Sequence, residues 1–395
     1  MSPGPTSRSD IPRRNAMHVP SHGTLISWQQ ELEAKLIRIA SDTQFTARIS
    51  EPLVHKAAVA YLTRPSKRLL GMAFLHAAHM LGVDGYRFHD LIAVSAALEI
   101  RHGAILLHDD IVDGDTRRGG HPTAHHALRN PFGPDEAAGA ALLAGDILAG
   151  MAPLPILGSG LPGSVRSRLC ELFQANTALV AAGQIEQLHL DVRRDPNTVG
   201  ENEILRIHAG QFAPYLMCSI HLAGALAGLG DTALARITEA GVPLCQAFQV
   251  QNDLAGYTEL ARVLTSDPET ESALTLANTS DLGRRRRTVL VHTALNRLPG
   301  GDHAQLTAYL NGADTDFLTV LSLIEASGAA EHCTALITNL QAQSRKNISN
   351  DPGLPPETRT ALTTTWDYMN ALYDPASPIS RLYLDARTDL ARFGK

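Results

Sequence analysis

Hydrophobic positions along the chain recur mainly with the period of an α-helix. Alanine and leucine dominate the apolar runs, and alternating runs of valine, isoleucine and threonine bounded by tight turns are hard to find. Glycine and proline separate the runs, as at Gly82, 131–133, 162–163 and 299–301. The pattern predicts helices at residues 26–41, 52–62, 69–81, 89–108, 134–151, 164–191, 201–229, 231–264, 285–298, 303–312, 315–327, 329–348 and 355–372.

The domain organisation follows from length and from the first residues. At 395 residues the chain is long enough for one large domain or two modest ones, and it has no repeat of fixed period. Segment 1–25 is rich in Pro, Ser, Arg and His and lacks an apolar core, so it is predicted to be a disordered tail rather than a secretory signal or an anchor. We therefore expect residues 26–395 to form a single all-helical domain.

Composition and charge exclude several classes of protein. The formal net charge is -6, which provides no basic surface for nucleic acid. The longest apolar stretch, 137–163, is interrupted by Asp146 and by three prolines, so no membrane span is predicted. The four cysteines have neither metal nor disulfide spacing, which fits a reducing compartment. A cytoplasmic protein is therefore expected.

Three aspartates gather directly after an apolar helical run. Asp109, Asp110 and Asp113 share one helix face, where like charges repel by tenths of a kcal/mol per pair. Because the run before them is typical of a buried helix, these carboxylates require a cationic partner. Carboxylate oxygens suit Mg²⁺ held together with substrate phosphates, and the arginine pair Arg117 and Arg118 suits the same phosphates. The segment therefore predicts a magnesium and phosphate site.

A second polar cluster follows an apolar helical run about 140 residues later. Phe248 and Gln249 lead into Asn252 and Asp253, and the arginine run 284–287 is expected to open another helix. Two acidic and two basic clusters, each beside an apolar helix, are what a metal-bound diphosphate requires.

These motifs resemble the trans-isoprenyl diphosphate synthases, the family that makes farnesyl and geranylgeranyl diphosphate, over about residues 65–295. The family motif D-D-x-x-D matches Asp109 to Asp113, and its R-R-G matches Arg117 to Gly119. Its G-D, G-Q and F-Q pairs match residues 145–146, 183–184 and 248–249. The resemblance implies an all-α bundle of antiparallel helices around a deep central cavity, with the two acidic clusters facing each other across its mouth.

The resemblance also implies a chemistry and an assembly. Three Mg²⁺ ions would bind an allylic prenyl diphosphate and neutralise its leaving group, so that an allylic cation forms. Isopentenyl diphosphate would attack that cation, which makes the chain a Mg²⁺-dependent transferase of isoprenoid biosynthesis. Family members are usually dimeric, so a homodimer is expected.

The site for isopentenyl diphosphate is altered in this chain. The family carries G-G-K-x-x-R, whereas this sequence keeps Lys67 and replaces the arginine with Leu70. By resemblance Lys67, His102 and Arg118 would hold isopentenyl diphosphate. Arg68 is a candidate substitute for the lost arginine.

The metal and allylic sites are altered as well. The second motif begins Asn252-Asp253 instead of D-D, and Gly256 stands where many members keep an acid. A lost charge about 4 Å from a cation changes the interaction by roughly 4 kcal/mol at an effective dielectric of about 20. By resemblance the metal ligands are Asp109, Asp110, Asp113, Asn252 and Asp253.

Two lysines that the family directs at the allylic diphosphate are absent. His208 stands at one of these positions, and the other lies in a loop at 258–280 that contains no lysine. By resemblance Arg117, Arg286 and His208 would bind the allylic diphosphate, and the further substrate-binding candidates are Phe248, Gln249 and Arg287.

Product length is indicated by two small or aliphatic side chains. Ala104 and Ile105 occupy positions where, in the family, a bulky aromatic residue stops the chain near fifteen carbons. A substrate or product of about C15 to C20 is therefore expected, unless another residue such as Arg101 sets the floor of the cavity.

Three functions compete. The first is condensation of an allylic prenyl diphosphate with isopentenyl diphosphate to a short-chain prenyl diphosphate. The second is a class I terpene synthase on the same fold, because Asn252 also opens the cyclase motif N-D-x-x-S-x-x-x-E, although Gly256 replaces its serine. An aromatic content of 5% argues against cyclisation. The third is an irregular coupling enzyme or a regulatory subunit.

Overall fold

The computed structural model describes residues 18–42, 51–64, 66–192, 196–266, 280–374 and 377–380. Within these ranges the chain is almost entirely helical, which confirms the predicted all-α class. The helices are α1 His22–Ala40, α2 Pro52–Thr63, α3 Leu69–Met80, α4 Phe88–Val112, α5 Ala124–Ala127, α6 Arg129–Phe132, α7 Pro134–Met151, α8 Leu154–Leu157, α9 Gly163–Asp191, α10 Glu201–Leu226, α11 Asp231–Ser266, α12 Val289–Arg297, α13 Gly300–Leu310, α14 Phe317–Ala326, α15 Ala329–Ser349 and α16 Pro356–Tyr373. A short 3₁₀ helix covers Pro196–Thr198.

The first helix begins four residues before its predicted start. The Ser21 hydroxyl accepts a hydrogen bond from the Thr24 amide at 3.2 Å and caps α1 at His22. Residues 22–25, which were assigned to a disordered tail, are therefore helical. Residues 1–17 of that tail lie outside the described residues.

The arginine run does not open a helix, contrary to the prediction. Arg284 and Arg285 lie in a turn, and Arg285 has a positive φ of 59°. Helix α12 begins only at Val289, because the Thr288 hydroxyl caps it by accepting from the Val291 amide at 3.3 Å. The run therefore lies on a loop before the helix.

A two-stranded ribbon follows the first acidic motif. Strand β1, Arg117–Arg118, pairs antiparallel with β2, His121–Pro122. Gly119 and Gly120 form the turn between them with φ of 57° and 80°, a region that glycine enters without steric cost. Because neighbouring side chains of a strand point to opposite faces, the two arginines point in opposite directions.

Two clusters of buried apolar side chains form the interior. The larger cluster joins α1 to α4, α7, α9, the second half of α10, the first half of α11 and α16. The smaller cluster joins the beginning of α10, the second half of α11 and α12 to α15. Helices α10 and α11 contribute to both clusters, and thereby fix the position of one relative to the other.

Two helical stretches are long and apolar enough to cross a membrane by length and composition alone. In Phe88–Val112, 78% of the most apolar window is buried in the protein, as in a core helix. In Pro134–Leu157 the share is 44%, and Leu142, Leu143, Leu154 and Leu157 are exposed. The expected absence of a membrane span stays a prediction.

Helices α9 and α10 approach each other closely at Gly183, one of the family landmarks. A Cβ atom at this position would lie 2.6 Å from the backbone N and Cα of Gln211. We expect Gly183→Ala to lower the free energy of unfolding by about 1–3 kcal/mol, because the two backbones must move apart.

Chemical denaturation of the variant measures this loss. Gly139→Ala on α7 is the matched control, because its Cβ would meet no atom within 4 Å. The control should leave stability unchanged or raise it by about 0.5–1 kcal/mol. Equal stability of the two variants would contradict the close approach.

Candidate active site

A cavity of about 640 Å³ opens between α4, α9, α10, α11 and α16. Asp109 on α4, Asp113 at its C-terminal end, and Asn252 and Asp253 on α11 line it together. The two sequence motifs, about 140 residues apart, therefore meet at one site. A volume in this range suits a small-molecule ligand.

The three aspartates of the first motif do not play equivalent structural parts. Asp109 and Asp113 line the cavity, whereas Asp110 is only 1% exposed and does not. The Tyr61 hydroxyl and, at 2.5 Å, Arg118 Nε donate to Asp110. The structure therefore places Asp110 behind the wall of the cavity, where it bonds to Arg118, and not among the carboxylates that line the cavity.

Tyr61 is a residue that the sequence did not indicate. Its hydroxyl donates to Asp110 and accepts from the Ala124 amide at 3.1 Å. Burial and the adjacent carboxylate raise the pKa of Tyr61, so the phenol keeps its proton. A tyrosine on α2 carries no motif, and only the fold brings it to the aspartates.

Crowding of like charge alters the first motif. Burial and the neighbouring Asp113 raise the pKa of Asp109 to about 7. Arg118 opposes this shift, with Nη2 at 3.0 Å from Asp109 and 3.5 Å from Asp115. A further cation would reduce the repulsion between these closely spaced carboxylates.

Two arginines of the 284–287 run cross the mouth of the cavity to the same motif. Arg286 donates to Asp113, and Arg284 bonds to Asp115 and lies 3.8 Å from Asp113. The sequence predicts that the arginine run supplies cations to this site, with Arg286 as the named substrate contact, but it does not indicate Asp115. Three arginines thus balance the acidic motif before any ligand binds.

The two arginines of the ribbon have separate positions. Arg118 lines the cavity, but Arg117 is exposed and donates to the Gly120 carbonyl at 2.6 Å. The structure does not bring Arg117 to the cavity, contrary to its predicted contact with the allylic diphosphate. Alternation of side chains along β1 explains the difference.

Arg287, also predicted to bind substrate, lines the cavity and is 5% exposed. Its Nη1 donates to the Arg285 carbonyl at 2.6 Å, and its amide donates to Asp191 Oδ1 at 3.4 Å. These contacts fix the loop that carries Arg286.

Lys67 and His102, predicted to hold isopentenyl diphosphate, both line the cavity. Lys67 Nζ donates to the Tyr373 carbonyl at 3.3 Å, and His102 Nδ1 shares a hydrogen bond with the Tyr215 hydroxyl at 2.8 Å. Burial and Arg118 lower the pKa of His102 to about 3, so its imidazole is neutral. Leu70, which replaces the family arginine, lies in the core.

Arg68 touches the wall of the cavity, but its guanidinium is occupied elsewhere. Nε and Nη2 bind Glu33 at 2.7 and 2.8 Å, and Nη1 lies 3.7 Å from the buried Glu99. The side chain is 2% exposed. The guanidinium of Arg68 is thus bound to Glu33 in the free protein, and its part in binding substrate stays a prediction.

The second motif combines an exposed amide with a buried carboxylate. Asn252 is exposed and donates to Gln249 Oε1 at 3.4 Å, while Gln249 Nε2 donates to Asp253 Oδ1 at 2.8 Å. Asp253 Oδ2 is buried and has no hydrogen-bond partner among the described residues. His208 Nε2 is 3.8 Å away, but burial lowers the pKa of His208 to about 3, so it carries no charge.

No three acidic, histidine or cysteine side chains of the described residues already form a metal site, but oxygen atoms that a divalent ion could bind border the cavity. Burial and the charges of Asp281 and Asp191 raise the pKa of Asp253. Its free oxygen and the carboxylates of Asp109 and Asp113 border one cavity, and hard oxygen donors of this kind suit Mg²⁺.

Apolar side chains form part of the cavity lining. Ile105 lines the cavity, whereas Ala104 is buried behind it, and Phe248 packs against Tyr373 with ring centroids 4.7 Å apart. Arg101 is 1% exposed and donates to the Tyr215 carbonyl at 2.9 Å, outside the lining. Ile105 therefore lines the cavity, whereas Ala104 and Arg101 do not.

Comparisons with known proteins agree with this arrangement. A family model described as Polyprenyl synthetase matches residues 51–320. A geranylgeranyl diphosphate synthase of Saccharolobus solfataricus is 28% identical over 252 residues, which cover 62% of this chain and 72% of that relative. A short chain isoprenyl diphosphate synthase of Methanothermobacter thermautotrophicus is 27% identical over 284 residues, covering 71% and 79%.

Solved structures share the fold. A geranylgeranyl pyrophosphate synthase superposes with a TM-score of 0.67 at 21% identity, covering 88% of this chain and 98% of the other. The enzyme of Corynebacterium glutamicum, complexed with isoprenyl diphosphate and magnesium, gives 0.65 at 20% identity, covering 88% and 97%. The described helices therefore form the bundle expected from the sequence.

Proposed function

Because the chain belongs to the polyprenyl synthetase family, we propose that it is a Mg²⁺-dependent trans-prenyltransferase that condenses an allylic prenyl diphosphate with isopentenyl diphosphate. The observation that carries this proposal is the meeting of Asp109, Asp113 and Asp253 at the mouth of one cavity with an apolar interior. Charged groups at the mouth suit a diphosphate, and the apolar interior suits a prenyl chain.

Asp109, Asp113 and Asp253, with the Asn252 carbonyl, hold Mg²⁺ in this proposal. The ions supply positive charge that neutralises the departing diphosphate. Arg286 and Arg118, which bind carboxylates in the free protein, exchange those partners for diphosphate oxygens. Lys67 provides a charge for the second diphosphate, and neutral His102 provides a hydrogen bond.

The apolar walls protect the allylic cation. Ile105, Val180, Phe212 and Leu216 line the cavity beneath the charged groups. Apolar surface of this kind suits a prenyl chain and limits the water that could quench the cation.

Product length should respond to Ile105. We expect Ile105→Phe to shorten the longest product by about one isoprene unit and to lower kcat/KM for the longest accepted allylic substrate about 10- to 100-fold. Chromatography of the dephosphorylated products measures both effects. Ala104→Phe enlarges a residue behind the wall and should chiefly lower stability. If Ile105→Phe makes the same products as the unaltered protein, the prenyl chain does not pass Ile105.

A class I terpene synthase is the second candidate function. It is favoured by the loss of cations where isopentenyl diphosphate would bind, since Leu70 is in the core and Arg68 is bound to Glu33. Asn252 at the start of the second motif points in the same direction.

One assay separates these functions. The protein is incubated with Mg²⁺ and C5 to C20 allylic diphosphates, with and without isopentenyl diphosphate, and extracts are analysed before and after phosphatase. A longer prenol that requires both isopentenyl diphosphate and phosphatase supports condensation. A hydrocarbon or alcohol formed without isopentenyl diphosphate rejects condensation in favour of the terpene synthase. Activity only with another chain present indicates a regulatory subunit.

We further propose a homodimer in the cytoplasm. Leu142 and Leu143 on α7, and Leu179 and Ile185 on α9, are exposed apolar side chains, and their burial against a second copy would remove them from water. Light scattering of the purified protein measures its mass in solution, and a monomer at micromolar concentration would reject the dimer.

A further inference from the structure

A buried guanidinium without a carboxylate partner lies beside the cavity. Arg101 on α4 is 1% exposed, and no ion pair holds it among the described residues. Its Nη2 donates to the carbonyls of Pro214 and Tyr215 at 3.4 and 2.9 Å, whereas Nε and Nη1 have no hydrogen-bond partner within the described ranges. Arg68, which is nearly as buried, is bound to Glu33. Because a buried charge without a counter-ion costs free energy, the stability of the fold does not explain Arg101.

The charge of Arg101 acts on groups that line the cavity, although its own side chain does not line it. Its Cζ lies 6.0 Å from the ring centroid of Tyr215, and both Tyr215 and His102 border the cavity. Burial lowers the pKa of His102 to about 3, and the charge of Arg101 contributes to this shift together with the charges of two other arginines. A ligand in the cavity therefore lies within the electrostatic field of Arg101.

Arg101 is separated along α4 from the acidic mouth of the cavity. It precedes Asp109 by eight residues, which corresponds to about 12 Å along an α-helix. Ile105, which lines the cavity, lies between them on the same helix. In the proposed reaction positive charge first forms at the mouth, where the diphosphate leaves. This charge approaches Arg101 only if it migrates along the prenyl chain.

An aromatic face beside the cavity is already engaged by Arg101. Its guanidinium lies over the ring of Tyr215 and, at 5.6 Å from the centroid, over the ring of Phe173 on α9. Ring faces attract cations within about 6 Å. The face of Tyr215 that Arg101 covers cannot stabilise a carbocation at the same time, so a cation that came near would meet repulsion without aromatic compensation.

We propose that Arg101 determines the fate of the allylic cation, because its uncompensated charge repels positive charge that migrates along the prenyl chain. Two unit charges about 10 Å apart, at an effective dielectric of about 20, repel enough to change a rate or an affinity about tenfold. In condensation the new carbon–carbon bond moves the charge onto the isopentenyl unit, which passes a proton to a diphosphate oxygen. No charge then approaches Arg101, so Arg101 favours condensation over cyclisation. This inference rests on the proposed function.

Binding of charged prenyl analogues tests the inference without turnover. The distal amine is a C15 chain with an ammonium nitrogen in place of the branched carbon farthest from the first carbon, and the proximal amine carries the nitrogen in place of the first carbon. The neutral reference is the C15 prenol. Each probe is titrated calorimetrically into the full chain saturated with Mg²⁺ and inorganic pyrophosphate. Arg101→Met removes the charge, and Arg101→Lys is the matched control that keeps it.

We expect Arg101→Met to raise the affinity for the distal amine, relative to the prenol, about tenfold. The relative affinity for the proximal amine should change about twofold or less, because its charge lies farther from Arg101 and beside the acidic mouth. Arg101→Lys should match the unaltered chain with all three probes. An unchanged ratio of distal amine to prenol in Arg101→Met would overturn the inference.

Stability and products distinguish this role from a structural one. Because Arg101→Met removes an unpaired buried charge, its unfolding temperature should equal or exceed that of the unaltered chain. With a C15 allylic diphosphate and isopentenyl diphosphate, the share of cyclic hydrocarbons and alcohols should rise about tenfold in Arg101→Met and stay unchanged in Arg101→Lys. If Arg101→Met fails to fold, the guanidinium serves the fold and the inference is wrong.

The inference and the proposed function fail in different ways. Condensation by the unaltered chain with an unchanged ratio of distal amine to prenol in Arg101→Met would reject the role of Arg101 and keep the transferase. A raised ratio in Arg101→Met without condensation of any allylic diphosphate would support the repulsion by Arg101 and reject the transferase.

Discussion

We expect Asp109→Asn to lower kcat with the preferred allylic diphosphate by about a thousandfold or more. The substitution keeps the shape of the side chain and removes one unit of charge from the cavity. At about 4 Å from a cation and an effective dielectric of about 20, that charge is worth roughly 4 kcal/mol. Since about 1.4 kcal/mol is tenfold in rate, the loss corresponds to about three orders of magnitude. Steady-state release of pyrophosphate measures it.

Stability separates this loss from unfolding. Burial and Asp113 raise the pKa of Asp109 to about 7, so its charged form destabilises the free protein above that pH. The unfolding temperature of Asp109→Asn at pH 8 should therefore not fall. Asp110→Asn is the matched control, because Asp110 lies behind the cavity and bonds to Tyr61. It should lose more stability and less kcat than Asp109→Asn; the reverse order would contradict the placement of the two carboxylates.

Arg68→Ala is expected to destabilise the fold by about 3–5 kcal/mol, the effect of removing one partner from a buried ion pair. Arg68 holds Glu33 with two hydrogen bonds and lies 3.7 Å from Glu99, which is 1% exposed. Without the guanidinium, Glu99 keeps only the Gly71 amide, at 2.9 Å, as a described hydrogen-bond donor. Chemical denaturation measures the loss.

Lys67→Ala tests the neighbouring cation. Lys67 lines the cavity and reaches the Tyr373 carbonyl, so its loss should raise KM for isopentenyl diphosphate about tenfold or more and change stability by about 1 kcal/mol or less. A stable Arg68→Ala variant with a raised KM for isopentenyl diphosphate would instead restore the role that the sequence suggested for Arg68.

Helical periodicity and motif spacing predict much of the fold and part of the site. The breakers at Gly82 and 162–163 separate helices as predicted, and helix α9 begins within one residue of its predicted start. The expectation that Asp109 and Asp253 share one mouth agrees with the cavity lining. These features depend on local pattern, or on motifs whose partners are known from resemblance.

Other contacts depend on the backbone conformation and on the orientation of side chains, which the spacing of residues in the sequence does not determine. The arginine run lies in a loop and not in the predicted helix, because Arg285 has a positive φ and the helix begins only after its cap at Thr288. The ribbon turned Arg117 away from Arg118. Tyr61 and Asp281 come to the site through packing of distant elements, and no local signal in the sequence marks them.

Residues that line the cavity adjoin both apolar clusters, so a bound ligand can affect the stability and the degradation of the protein. Asp109 lies on a helix of the larger cluster, and Asp281 directly precedes Leu282 of the smaller one. A metal diphosphate held by both sides would tie the clusters together and stabilise the fold by mass action. A cell short of isoprenoid precursors would then contain a more easily degraded enzyme, so precursor supply would control the amount of the protein as well as its rate.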